Sequence, residues 1–317
     1  MTAFFKKIPF PMAGLALAVI GLGMLLDMYG IHCCGTFTVI SAIVLAFPLL
    51  GCACEPSRLR NIAEDPVMTS VAGTVSMTLM FQSMMLKSYA SVLAFIVFGV
   101  GIALHLLIVI WFTWRFLFRV PIAKMRGSWL IVYVGAVAFA IASPVFGLAP
   151  QGDIVCWACL IIAGIILMLL LVHYFRYSDP EMARPLICVL AAPAAICLVG
   201  FFQCEQNVSI PLAVALVIAA WLLCFGLLPL LVKLLRSPFY PSFSAMTFPF
   251  VISASAGKRF LMFAQQQSIA VPVFCGWLVW AQLVIAIVLT VFVAIRYLIF
   301  LYKVIGQVCT KDQTPTP

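Results

Sequence analysis

Ten apolar stretches in this chain are each long enough to cross a bilayer, and positive charge falls on alternate connections between them. Of the 18 Lys and Arg in 317 residues, all but Lys87, Lys258 and Arg259 lie at the two termini or around the connections after the even-numbered stretches. Lys and Arg stay on the cytoplasmic side during insertion, and a helix needs about 20 apolar residues to span about 30 Å of hydrocarbon. The stretches run over 9–29, 35–54, 66–86, 90–116, 128–149, 153–175, 185–203, 209–232, 242–262 and 273–302. The pattern predicts an all-α integral membrane protein with ten transmembrane helices and both termini inside (N-in/C-in). No connection has room for a soluble domain, so residues 1–317 read as one membrane domain in a plasma or inner cytoplasmic membrane.

The charged fraction is 9%, against about a quarter in a soluble domain. The net charge of +9 does not indicate nucleic acid, because the basic residues form no run and topology accounts for them; contact with anionic lipid heads follows from their position. Lys6 and Lys7 before an apolar segment resemble a signal peptide, but Asp27, Met28 and Tyr29 stand where small residues would mark a cleavage site, so the first helix reads as retained.

Even stretches are plain aliphatic runs, as at 154–172 and 278–298, whereas odd ones carry Gly, Ser, Thr, Ala and Pro. Uniformly aliphatic helices suit lipid, and small or hydroxylated residues suit close packing or an aqueous path. The odd stretches begin near Pro9, Pro66, Gly127, Pro185 and Pro241, at intervals of 57, 61, 58 and 56 residues. Seven or eight positions in, a helix breaker recurs as Gly73, Gly135, Pro193 and Pro249; the first unit lacks it. Parallel repeats of this kind are frequent in transport proteins. The expectation is five helical hairpins around a central pore, odd helices inner and even helices outer, rather than a closed bundle.

Between their ends the odd stretches hold no Asp, Glu, His, Lys or Arg. A proton-coupled carrier usually carries an ionisable group at membrane depth, and a cation path usually carries acidic rings. A neutral, kinked wall suits a permeant that binds weakly. Lys87, Lys258 and Arg259 close the third and ninth helices on the outside, against the charge rule. They are either a positive vestibule that concentrates anions or side chains snorkelling to lipid head groups, and both readings stay open.

The remaining candidates carry little chemistry. Cys156 and Cys159 form a C-x-x-C that opens an apolar helix without a partner pair, so packing accounts for it. Cys33, Cys34 and Cys204 fall on outside connections, where a disulfide is left open. Asn207-Val208-Ser209 fits a glycosylation sequon. His105 reads as a hydrogen-bonded structural residue on an outer helix, and three scattered His form no metal or haem set. With no nucleophile–base pair or phosphate loop, the chain does not read as an enzyme and implies no cofactor or metal.

Several segments carry a family resemblance: FPMAGL at 10–15, Asp65-Pro66-Val67, Ser128-Trp129, PLICVLAAPAAICLVG at 185–200 and YPSFSAMTFPFVISASA at 240–256. They resemble the tellurite-resistance/dicarboxylate transporter family, which includes plant guard-cell slow anion channels, the bacterial tellurite-resistance protein TehA and yeast malate permeases. The resemblance covers the whole chain. It implies five hairpins around a pore, a homotrimer of independent pores, and a mid-membrane phenylalanine plug at the position of Phe248. It also implies that Pro144, Pro193 and Pro249 kink pore-lining helices. Residues alone would leave Phe248 an ordinary buried ring, one of 26 Phe. Departures are Ala18 and Gly73-Thr74-Val75-Ser76 where relatives carry mid-helix prolines, Asp65 where His is common, and a tail of only 310–317.

The sequence therefore reads as an anion-selective channel or channel-like uniporter for small inorganic anions, gated by Phe248. The alternative is a secondary transporter of C4-dicarboxylates, or an exporter of tellurite or sulfite. A non-transporting scaffold would leave the breakers unexplained.

Overall fold

The computed structural model describes residues 2–205 and 208–311. Asn207 of the sequon and residues 312–317 of the tail lie outside the described residues. Every element among the described residues is helical. The main stretches are α1 (Met12–Asp27), α2 (Cys34–Cys54), α3 (Pro66–Leu86), α4 (Ser91–Leu117) and α5 (Trp129–Phe146). They continue as α6 (Ala149–Arg176), α7 (Arg184–Cys204), α8 (Ile210–Leu235), α9 (Phe248–Gln266) and α10 (Val273–Lys311). Among the described residues, α2, α4, α5, α6, α7, α8 and α10 are long and apolar enough to cross a membrane. α1 is apolar but shorter; the hydroxyls and Gln82 of α3, and Lys258, Arg259 and the glutamines of α9, dilute their hydropathy.

Burial alternates along the chain. In the apolar stretches of α5 and α7, 61% and 83% of residues are buried, against 28% in α2, α4, α6 and α8 and 39% in α10. α1 is buried at nearly every position from Met12 to Gly23. The exposed surface of the even helices is aliphatic, as at Val92, Ile154 and Leu222, which lipid accepts and water would not. α1 packs against α3, α3 against α5, α5 against α7, α7 against α9, and α9 back against α1. Each even helix packs on the odd helix before it and also touches the next odd one, with α10 reaching α1.

Local chemistry sets the ends of these elements. The Asp65 carboxylate accepts from the Met68 backbone N–H at 2.7 Å, with Pro66 at the first helical position, so α3 starts on a cap and a preset φ. Gly147 ends α5 at φ 75°, a left-handed turn that side chains disfavour. The short amphipathic helix Ser57–Glu64 buries no residue and lies beside α3; the Trp111 indole donates to Ala63 O at 2.9 Å and Arg58 donates to Ile8 O at 2.6 Å.

The expected breaks fall as follows. α5 changes to a 3-10 turn at Val134–Ala136, around Gly135. α7 is 3-10 over Arg184–Ala191 and becomes α-helical at Pro193. Pro249 sits at the start of α9, after a 3-10 turn at Pro241–Met246, and Pro144 lies in the closing 3-10 turn of α5. Gly73 is a correction, because α3 runs as unbroken α-helix from Pro66 to Leu86. Its missing side chain makes room instead: a Cβ there would stand 3.0 Å from Ile131 Cγ2 and 3.7 Å from His105 Cε1. Cys33, Cys34 and Cys204 are free thiols.

Candidate functional site

A cavity of about 330 Å³ opens at the end of the bundle where Pro11, Asp65, Ala183 and Pro241 lie. All five odd stretches line it and no even one does, through residues such as Leu17, Thr74, Gly135, Pro193 and Phe248. The wall is nearly all carbon, and Asp65 at the mouth is its one ionisable residue. The phase of each helix follows from its small residues. Gly14 faces Ser244, and a Cβ at Gly135 would meet Met77 Sδ at 2.9 Å and His105 Cε1 at 3.1 Å. The helices can therefore approach closely where a longer side chain would hold them apart.

Phe248 lies at the inner end of the cavity. Its ring, 7% exposed, lies 6.1 Å from the Phe81 ring. Beyond it is a smaller cavity of about 20 Å³, lined by Gly21, Phe81, Ile141, Val199, Ser255 and Arg259 among others. Phe248 is the one residue that lines both cavities. Its backbone is set by the break before it. Pro249 has no N–H to give, and Thr247 turns the chain at φ −105°, ψ −77° with its hydroxyl on Ser244 O at 2.6 Å.

His105, read from sequence as structural, is held between two odd helices and satisfies the break in α5. Its Nε2 lies 3.0 Å from Val132 O and its Nδ1 2.7 Å from Ser76 Oγ. Gly73 and Gly135 supply the space for its ring, a packing purpose that periodicity alone does not reveal.

The three cations expected at the far mouth separate. Lys87 Nζ lies 3.9 Å from the centroid of Phe95 and donates to Ser91 at 3.1 Å, on the half-exposed α4 side. Lys258 Nζ lies 4.4 Å over the Tyr29 ring. Arg259 lines the cavity beyond Phe248, and its buried Nε has no hydrogen-bond partner.

Residues 38–298 match the sequence profile of the family described as voltage-dependent anion channel, SLAC1. The chain belongs to that family. No curated protein matches it. The resemblance to tellurite-resistance/dicarboxylate transporters read from sequence is a resemblance to this same family. As a family member with apolar spans along its length, the chain is a multi-pass membrane protein of an anion channel and transporter family, not an enzyme family.

Proposed function

We propose that this voltage-dependent anion channel family member is a single-domain, anion-selective channel or channel-like uniporter, with its path along the axis of the five odd helices and Phe248 as the gate. The observation that supports the reading is that Phe248 is the one residue lining both cavities. Five hairpins, odd helices inside and the basic end cytoplasmic, are the arrangement that the burial alternation and the ring of odd-helix contacts support. A benzyl group in a narrow apolar passage closes it by dewetting. Gly135, Pro193 and Pro249 line the path at its breaks; Gly73 packs behind it and Pro144 beyond it. Arg259 is the vestibule charge that favours anions, while Lys87 and Lys258 sit on aromatic rings at the membrane interface.

The inner wall favours a monovalent permeant over the dicarboxylate alternative. It offers no cation, and its mouth carries the Asp65 carboxylate. A dianion would give up its hydration there without a charge partner. Assembly as a trimer rests on the family resemblance alone.

The test is current in a planar bilayer, wild type against Phe248→Ala, with chloride, nitrate and malate as the main anions. A rise of at least about tenfold is expected, which corresponds to about 1.4 kcal/mol off the barrier, with reversal potentials that follow the inorganic anion gradient. No current in either form, together with saturable malate uptake into vesicles, would sink the channel reading and leave the carrier.

A further inference from the structure

We infer that a groove between α3, α4 and the short helix Ser57–Glu64 seats an acyl chain of an anionic phospholipid, with the phosphate toward Arg115 and Arg119. The groove encloses about 410 Å³ and lies at the basic end of the bundle. Its walls are the short helix, the start of α3 at Thr69 and Ala72, and the end of α4 from Leu107 to Trp114. The α4 wall runs about 10 Å, at 1.5 Å per residue.

The spacing of Ser57–Glu64 makes it two-faced. Leu59, Ile62 and Ala63, at i, i+3 and i+4, line the groove, and Arg60 pairs with Glu64 at 2.9 Å on the exposed side. The last carbonyl groups of a helix have no partner within it. Here the neighbours supply donors: Thr69 Oγ1 to Ile62 O at 2.6 Å, and Trp111 Nε1 to Ala63 O at 2.9 Å. These bonds tie the short helix to both α3 and α4, so the groove is built before anything enters it. They also use up the Thr69 hydroxyl and the Trp111 N–H. The rest of the wall is aliphatic and aromatic, with no ionisable side chain. A polar occupant would lose its hydration there without partners, so hydrocarbon is what fits.

Exposure and charge name the occupant. Leu59, Ile110 and Trp114 are 56%, 65% and 62% exposed, so the groove is open on its outer side. Trp111 and Trp114, with ring centroids 5.4 Å apart, stand at its basic end, where an interfacial aromatic belt belongs. Cations come next. The Arg119 guanidinium lies 5.4 Å from the Trp114 ring, and Arg115 follows Trp114 directly in the chain. Among the described residues neither arginine pairs with a carboxylate. An anionic headgroup supplies the charge that they lack while its chain fills the groove. A second copy of this chain fits less well, because its own basic end would bring like charge to the same place.

The groove adjoins the mouth of the central cavity. Ser57–Glu64 runs directly into Asp65, which caps α3 and lines that mouth. Near the start of the same helix, Arg58 donates to Ile8 O at 2.6 Å, three residues before Pro11 at the mouth. A seated chain therefore braces a segment that shapes the mouth. The lipid site itself stands whatever passes through the cavity.

Native mass spectrometry of the full chain in uncharged detergent, titrated with phosphatidylglycerol or with phosphatidylcholine of the same chains, tests this. Ala72→Phe puts a ring into the groove and should remove one tightly held phosphatidylglycerol per chain; Leu107→Trp fills it from the opposite wall. At that binding step the wild type should prefer phosphatidylglycerol by at least about fivefold, the worth of one cation near an anionic headgroup. Arg115→Gln combined with Arg119→Gln should bring the preference below about twofold. In phosphatidylcholine vesicles, chain-brominated phosphatidylglycerol should quench a smaller fraction of the indole emission once Trp111 and Trp114 are both changed to Phe. That readout needs neither filled variant to fold, and an unchanged fraction overturns the site. A lipid count that both filled variants leave unchanged overturns it too. A preference that survives in the double Gln variant overturns the headgroup contact. A filled variant that changes the number of chains per particle, with the lipid count intact, makes the groove an interface between copies and overturns the lipid assignment.

Discussion

Arg259 should set the sign of the permeant, and the size of its effect can be worked from its place on α9. It stands eleven residues after Phe248, about 16 Å along the axis at 1.5 Å per residue. Helical side chains lean back toward the N-terminus, which brings the guanidinium to roughly 10 Å from the plug, in keeping with its place on the same cavity wall. At an effective dielectric of about 20, a unit charge at that distance stabilises an anion by about 1.7 kcal/mol, and in bulk water by about 0.4 kcal/mol. These figures correspond to roughly fifteen- to twentyfold and to about twofold in occupancy. Arg259→Gln in the Phe248→Ala background should therefore lower anion current about tenfold or more and reduce anion-over-cation permeability, while Arg259→Lys keeps most of both. Current and reversal potential in a chloride gradient at low ionic strength would measure this. A change below twofold would mean that the charge is solvated as in bulk water, and the vestibule argument would fail. Lys87→Gln and Lys258→Gln are the controls, expected below twofold because both ammonium groups rest on rings.

Two further substitutions test the packing behind the pathway. Gly127→Ala would place a Cβ 2.2 Å from the backbone oxygen of Leu186; because backbone cannot swing aside, about 3 kcal/mol of destabilisation is expected, read as reduced resistance to thermal unfolding in detergent, and an unchanged melting temperature would refute the contact. His105→Ala strips Val132 O of its side-chain partner and leaves Ser76 Oγ only its bond to Gly73 O, and should cost about 1–3 kcal/mol. His105→Gln should recover part of that loss, and equal melting of both variants would show that the hydrogen bonds contribute nothing beyond ring volume.

Much of this architecture is legible in the sequence because a membrane imposes a strong code. Apolar length and alternating positive charge mark the stretches, and hydroxyl and glycine content distinguish the buried odd helices from the lipid-facing even ones. The breaks at Gly135 and Pro193 follow from residue type. What periodicity could not supply is the rotational phase of helices that are apolar all round. Lys87, Lys258 and Arg259 look alike in sequence, yet only Arg259 turns toward the axis. Gly73 has the spacing of a break and serves as a gap for Ile131 and His105. Arg126 meets His173 and Asp179 across 47 and 53 residues of sequence, and nothing local links it to them before the chain is folded.

A pore wall and a buried helix make opposite demands on the backbone. Helix breaks open space but free carbonyl groups, which must be bonded where no water reaches. Here outer helices supply partners from behind. His105 of α4 serves Val132 O in α5, and Tyr297 of α10 donates to Pro241 O at 2.6 Å, at the turn before α9. These bonds come from outside the ring of odd helices, so the cavity face stays apolar and neutral. A neutral wall cannot choose the sign of an ion by itself. On the proposed reading, selectivity falls to Arg259 in the smaller cavity and closure to the ring of Phe248. The two functions are separable: removing the ring should raise flux and leave the preference for anions intact, and removing the Arg259 charge should erode that preference whether or not the ring is present.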